Sequence, residues 1–295
     1  MISRRSLLLG SASGFLCAPF VARASNGGDE SEGGIGGTGV YFGPVLNASS
    51  PTINGRRLAS GIPAVRAALA GQPNLAGSLG DTLFVTGAQT SNDLTPRQAV
   101  RFLPLVGRID GLGGTGGPLR VLGTPIVFAS QTILQATNGS SVSRQDLVPG
   151  RRIAVSGIWR SQSVIATRIV VLGNDGASSI SGQVGNSGSG IVIGRTRLQN
   201  VRARPGDFLT LVGEGNGREF RARNRASGFS PYFDASRRQF MSAAGYLAPD
   251  ADGRGYHLSG FGLPMDPAST VSPTSREARV FEGIYDRSFL IQRAT

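Results

Sequence analysis

One eight-residue pattern, Gly-x-x-apolar-x-apolar-x-Gly, recurs along the chain and limits its fold more than any other feature. It stands as GDTLFVTG at Gly80 to Gly87, as GRRIAVSG at Gly150 to Gly157 and as GDFLTLVG at Gly206 to Gly213. The pairs Leu83/Val85, Ile153/Val155 and Leu209/Leu211 repeat at the two-residue period of a strand, so each copy has one inward face. The bounding glycines permit the bends at which barrel strands start and end.

Each block belongs to a longer unit. Upstream lies a hairpin: TINGRRL turns at Asn54-Gly55, RVLGTPIVF at Gly123 and IVIGRTRL at Gly194. Before the hairpins come opening strands around Gly39, Gly107 and Gly182, and a closing strand follows the block, clearest in VIATRIVVL. A fourth, more worn copy opens at Gly245 and ends its block at Gly283, with Arg276 in place of the first glycine. Such spacing suits a small five-stranded barrel. Ile62 to Gly71 (IPAVRAALAG) is read as one short helix, at the place where OB-type barrels insert theirs. The fold expected is all-β, a tandem of small five-stranded OB-like barrels. Their bounds are 39–105, 106–176, 177–227 (short) and 228–295 (degenerate), with breaks near Leu105, Gly176 and Ser227.

Scarce residues exclude chemistries. All 30 positive residues are arginine, so no lysine can form a Schiff base or hold a transferred phosphate. With Cys17 and His257 alone of their kinds, disulfides within the chain and zinc sites built on Cys and His are impossible. His257 alternates with apolar neighbours in GYHLSG and reads as a strand residue, not a catalytic base.

The first 24 residues have the form of a signal peptide. Arg4-Arg5 make a basic start within SRRSLLL, a twin-arginine pattern; an apolar run follows, and Ala22-Arg23-Ala24 precedes cleavage between Ala24 and Ser25. Gly14-Phe15-Leu16 before Cys17 lacks the small residues of a lipobox, so Cys17 leaves with the leader. Without the leader's three arginines the net charge of +12 becomes +9. Residues 25–38 read as a flexible, acidic, Gly-rich linker. The expected location is periplasmic or secreted in a bacterium, with no transmembrane segment in the mature chain.

The elements GIGGTG (Gly34 to Gly39), TING (Thr52 to Gly55), DLVPGRRIAVSG (Asp146 to Gly157) and ATRI (Ala166 to Ile169) carry a resemblance. The chain resembles exported bacterial proteins made of tandem β-barrel units, a family known only as a domain of unknown function. The resemblance covers most of the mature chain and is strongest in the second unit. It implies the fold and the export, and attaches no catalytic residue.

The candidate sites are few. GGIGGTGV and GLGGTGG contain G-x-G-x-x-G spacing, but strand and turn follow each, where a dinucleotide loop needs a helix. No cofactor or metal is expected. Asp81 and Asp207 share one repeat position and read as turn aspartates, and Asp250 and Asp252 lack the closing glutamate of a calcium loop. Trp159 beside Arg160 could stack a ligand, and Arg56, Arg57, Arg195 and Arg197 flank equivalent hairpin turns as a repeated basic edge. The leading reading is a non-enzymatic binding or envelope-associated structural module, with an envelope protein or polyanionic ligand as partner. The alternative is a dedicated binder of acidic glycan or single-stranded nucleic acid. A carboxylate hydrolase would need two acids converging in one cleft.

Overall fold

The computed structural model describes residues 38–295 apart from 91, 113–117, 189, 251–254 and 270–276. The leader, Cys17, the cleavage site Ala24/Ser25, Asp252 and most of both Gly-rich stretches lie outside the described residues. What is described is built of strands, with a single 3-10 turn at Arg144–Asp146.

The first span holds β1 (Thr38–Leu46), β2 (Thr52–Ile53), β3 (Arg56–Leu58), β4 (Val65–Arg66), β5 (Thr82–Gln89) and β6 (Asp93–Arg101). β1 pairs antiparallel with β2, β2 with β3, and β5 with both β1 and β6, while β3 runs parallel to β6. The second span holds β7 (Leu105–Leu112), β8 (Leu119–Val121), β9 (Thr124–Ala136), β10 (Arg152–Arg160) and β11 (Ser163–Val171). The third holds β12 (Ser178–Ser187), β13 (Gly190–Ile193), β14 (Thr196–Gln199), β15 (Phe208–Asn216) and β16 (Glu219–Ser227). Both close as five-stranded barrels: β7-β8-β9-β11-β10 returns to β7, and β12-β13-β14-β16-β15 returns to β12. The first span follows the same order through its two- and three-residue strands β2 and β3.

The C-terminal span holds β17 (Gln239–Gly245), β18 (Leu247–Pro249), β19 (Tyr256–Leu258), β20 (Leu263–Pro264), β21 (Arg279–Asp286) and β22 (Ser288–Ala294). β17 pairs with β21 and β21 with β22, β18 to β20 form a separate small sheet, and one parallel bridge, Met265 with Phe289, joins the two. The worn copy keeps the strand order, with its small sheet held to β22 by that one bridge.

The closing glycine of the block has a specific cause. The ladder register shifts at Thr86/Gly87, Ser156/Gly157, Val212/Gly213 and Glu282/Gly283, the same position in every block. A Cβ there would run into a carbonyl oxygen of the facing strand, that of Thr95, Ile165, Arg221 or Leu290. Only glycine lets the bulged strand lie so close, and the bulge bends the strand around its barrel.

The spans are interlocked. β1 pairs in parallel with β17, so the first and last spans share a sheet, and β7 pairs with β12 through Ser179–Val106 and Ile180–Leu105. The block strands β5, β10 and β15 are therefore buried on both faces over most of their length. Leu83 and Val85 fill the first barrel with Tyr41, Ile53 and Leu94, while Phe84 between them points to the opposite side. There it meets Phe42 at 4.6 Å, Tyr232 at 4.6 Å and Phe261 at 5.8 Å between ring centres. Phe102, Phe208 and Phe229 complete an aromatic hub drawn from the first, third and last spans. Tyr232, fully buried in it, shares a 2.8 Å hydrogen bond with Thr210, and burial pushes its phenol up to about 12.

The short helix expected at Ile62 to Gly71 does not form. Val65 and Arg66 pair in parallel with Ala99 and Val100 on β6, and Gly71 takes a positive φ of 93°. Ten residues make a marginal helix in isolation. Here the open edge of β6 takes the backbone, and Gln72 binds the N–H groups of Ala68 and Leu69 as the chain turns onto the third span.

Candidate functional site

The six side chains singled out as binding candidates have separate fates. Arg57 donates from Nε and Nη2 to Asp93 at 2.8 Å each, and Arg56 Nη2 lies 3.9 Å from Glu282. The Arg57–Asp93 bond holds the guanidinium above its usual range and the carboxyl below. This hairpin is therefore charge-balanced. Trp159 is 1% exposed and its Nε1 donates to Ser181 O at 2.8 Å, so no ring face is open to a ligand. Arg160 lies over the Tyr246 ring at 5.5 Å.

Arg195 and Arg197 differ. They sit on the β13–β14 hairpin, which packs against the β8–β9 turn: Arg195 N–H donates to Thr124 Oγ1 at 3.2 Å, and Thr196 Oγ1 to Leu122 O at 2.6 Å. Two further arginines meet that turn. Arg218 lies so close over Gly123 that a Cβ there would overlap its side chain, and Arg218 O accepts the Arg197 N–H at 2.7 Å. Arg120 Nη1 donates to Gly123 O at 3.3 Å. An acid beside the turn, Asp110, accepts the Gly123 N–H at 2.5 Å, and desolvation raises its pKa above the ordinary value.

Arginine use separates the third span from the others. In the first two spans the buried arginines are consumed internally: Arg101 and Arg168 by Asp81, and Arg152 by the carbonyls of Asp175 and Ala177. Residues 177–227 carry eight arginines against the three acids Asp207, Glu214 and Glu219, and none of these arginines is buried. Arg223 pairs with Glu214, and Arg197 stands 3.7 Å from Glu219. Among the described residues, Arg195, Arg202, Arg204, Arg218, Arg221 and Arg225 have no carboxylate within 4 Å. An open depression of about 730 Å³ is lined by Arg202, Arg204, Ile191 and Val201.

The acids serve turns. Asp81 and Asp207 each accept, through Oδ2, the N–H three residues back, from Ser78 at 2.9 Å and Arg204 at 2.8 Å. Asp250 Oδ1 lies 2.8 Å from His257 Nδ1 on the small sheet. Among the described residues no three His, Cys, Asp or Glu side chains gather as a metal site would require. A second cavity, about 240 Å³ between the first and second spans, is lined by Pro44, Leu46, Leu79, Ala129, Ile133 and Thr167 among others, with no ionisable wall.

Residues 106–170 match the model of a domain of unknown function (DUF5666). The match runs from within β7 to within β11, so it takes in nearly all of the second barrel and both arginines of its 120 and 168 positions. No curated protein and no solved structure matches the chain. No helix among the described residues is long and apolar enough to cross a membrane.

Arg218, Arg221 and Arg225 were missed by reading for hairpin turns. The signal was in REFRARNRAS, where four arginines stand within the eight residues 218–225. What hid it is the parallel pairing of β14 with β16, which sets Arg197 beside Glu219 and Gln199 beside Arg221.

Proposed function

We propose that this chain is an exported, non-enzymatic binding module built of tandem OB-type barrels, and that its partner is a polyanion. The strand order supports the fold assignment, since each five-stranded set joins its third strand in parallel to its fifth and its first to its fourth. The observation that carries the functional reading is the excess of unpaired surface arginines in the third span, displayed on a body whose spans share sheets and one core. Exposed guanidinium groups without acidic partners attract anionic polymers over a Debye length and release their counterions on contact.

The interlocking supports export after folding. β1 cannot complete its sheet until β17 is made, so the native core forms only from the whole chain. The twin-arginine leader suits such cargo.

The test is retention of the chain from Ser25 onward on immobilised heparin and on immobilised oligonucleotide at low salt. Retention that falls steeply with salt is expected; passage through both columns at low salt removes the polyanion reading.

A further inference from the structure

We infer that arginines of the third span form a short track for an acidic polysaccharide, beginning at the β8–β9 turn and running onto the outward face of β16. The inference rests on the polyanion reading above and names its site and ligand class.

The track is set by backbone pairing. At one end the β13–β14 hairpin and the Gly217–Arg218 turn both lie on residues 122–124, which brings Arg195, Arg197 and Arg218 to one place. From there the outward face of β16 continues with Arg221, set beside Gln199 of β14, while the register shift at Val212/Gly213 places Arg225 opposite Leu211 on the other face, where its Nη1 donates to Arg202 O at 3.3 Å. Arg218 to Arg221 is three strand steps, about 10 Å at a rise of 3.3 Å per residue. With Arg195 and Arg197 on the adjoining hairpin, that spread of guanidinium groups suits a chain with repeated charge better than a single anion.

One observation favours a glycan over nucleic acid. Barrels that bind single strands add aromatic platforms on which bases stack. The aromatic residues of the third span, Phe208 and Phe220, are both buried, and Trp159 is sealed beneath the same hairpin. The surface offers charge and guanidinium hydrogen bonds, the chemistry that recognises sulfate and carboxylate groups.

The experiment titrates the full mature chain with a heparin oligosaccharide, with polygalacturonate and with oligothymidylate over a salt series. Two triple variants carry the same charge loss. One is Arg195→Gln/Arg218→Gln/Arg221→Gln; the other, Arg57→Gln/Arg97→Gln/Arg144→Gln, removes exposed arginines elsewhere. The inference expects glycan binding whose salt slope drops by about 3 in the track variant, roughly one per lost contact, with at least about a tenfold loss of affinity. The control variant should keep most of both, and matched circular-dichroism melts show that each variant is folded. Equal losses in the two variants would overturn the track while leaving the polyanion reading in place. Tighter binding to oligothymidylate than to either glycan would overturn the ligand class. Loss of all binding by the unmodified chain would remove both.

Discussion

Replacing Asp81 by alanine is expected to cost about 3–5 kcal/mol of stability, the range found when one member of a buried ion pair is removed. Asp81 is fully buried at the start of β5, and its carboxylate accepts from Arg101 Nη2 and Arg168 Nη1 at 2.8 Å each. Arg101 ends β6 in the first span, whereas Arg168 lies on β11 in the second. One carboxylate thus neutralises two guanidinium groups across the junction. The arginines are otherwise held by neutral groups: Arg101 by the carbonyls of Leu75 and Ala76, and Arg168 by Gln135 Oε1. Arg101 Nε has no hydrogen-bond partner among the described residues. Deleting the carboxylate would leave two buried positive charges facing each other. Asp81→Asn keeps the side-chain shape and an oxygen for the Ser78 N–H, so it separates charge from turn geometry. If neutralisation dominates, Asn should lose nearly as much as Ala. Guanidinium chloride melts of the three chains measure this, and a loss below about 1 kcal/mol for Asp81→Ala would show that water reaches the arginines and the pair is not buried in solution.

The same aspartate shows how far the sequence could be read. Its recurrence with Asp207 exposed the turn, because an i−3 hydrogen bond is local and leaves a mark at fixed spacing. Its two arginine partners lie 20 and 87 residues away and leave none. The barrel interiors were legible for a similar reason, since Leu83 and Val85 alternate. Phe84 between them was not, because an outward strand position becomes core only when another span covers it. The helix misread at Ile62 to Gly71 has the same origin: its composition suits a helix, and the competing edge of β6 is over thirty residues on. Among the candidate arginines, Arg195 and Arg197 could be found from their turn. Arg56 and Arg57 could not be discounted, because Glu282 and Asp93 reach them only in the folded sheet.

Trp159 and Gly194 should prove strongly coupled. Trp159 leaves the second barrel on β10 and its indole enters the third span, where Gly182 and Gly194 give it room and Gly260 of the last span covers its base. A Cβ at Gly194 would stand 2.7 Å from Cζ3 and 2.8 Å from Cη2 of the indole, and the residue has a φ of 60°. Gly194→Ala therefore carries two penalties. The left-handed backbone costs about 1 kcal/mol for a residue with a Cβ, and the clash with a wedged ring adds about 1–3 kcal/mol as overpacking. Trp159→Ala alone should cost about 3–5 kcal/mol, the cavity and transfer loss of a buried aromatic, and it also leaves Ser181 O without the indole N–H. In the double variant the six-membered ring is gone, so the overpacking part of the Gly194→Ala loss should vanish and only the backbone part remain. The double-mutant cycle is then expected to show a coupling of about 1–3 kcal/mol. Additive losses would place the indole away from Gly194 in solution. Because the wedge joins the second, third and last spans, both single variants should lower one common unfolding transition and not split it.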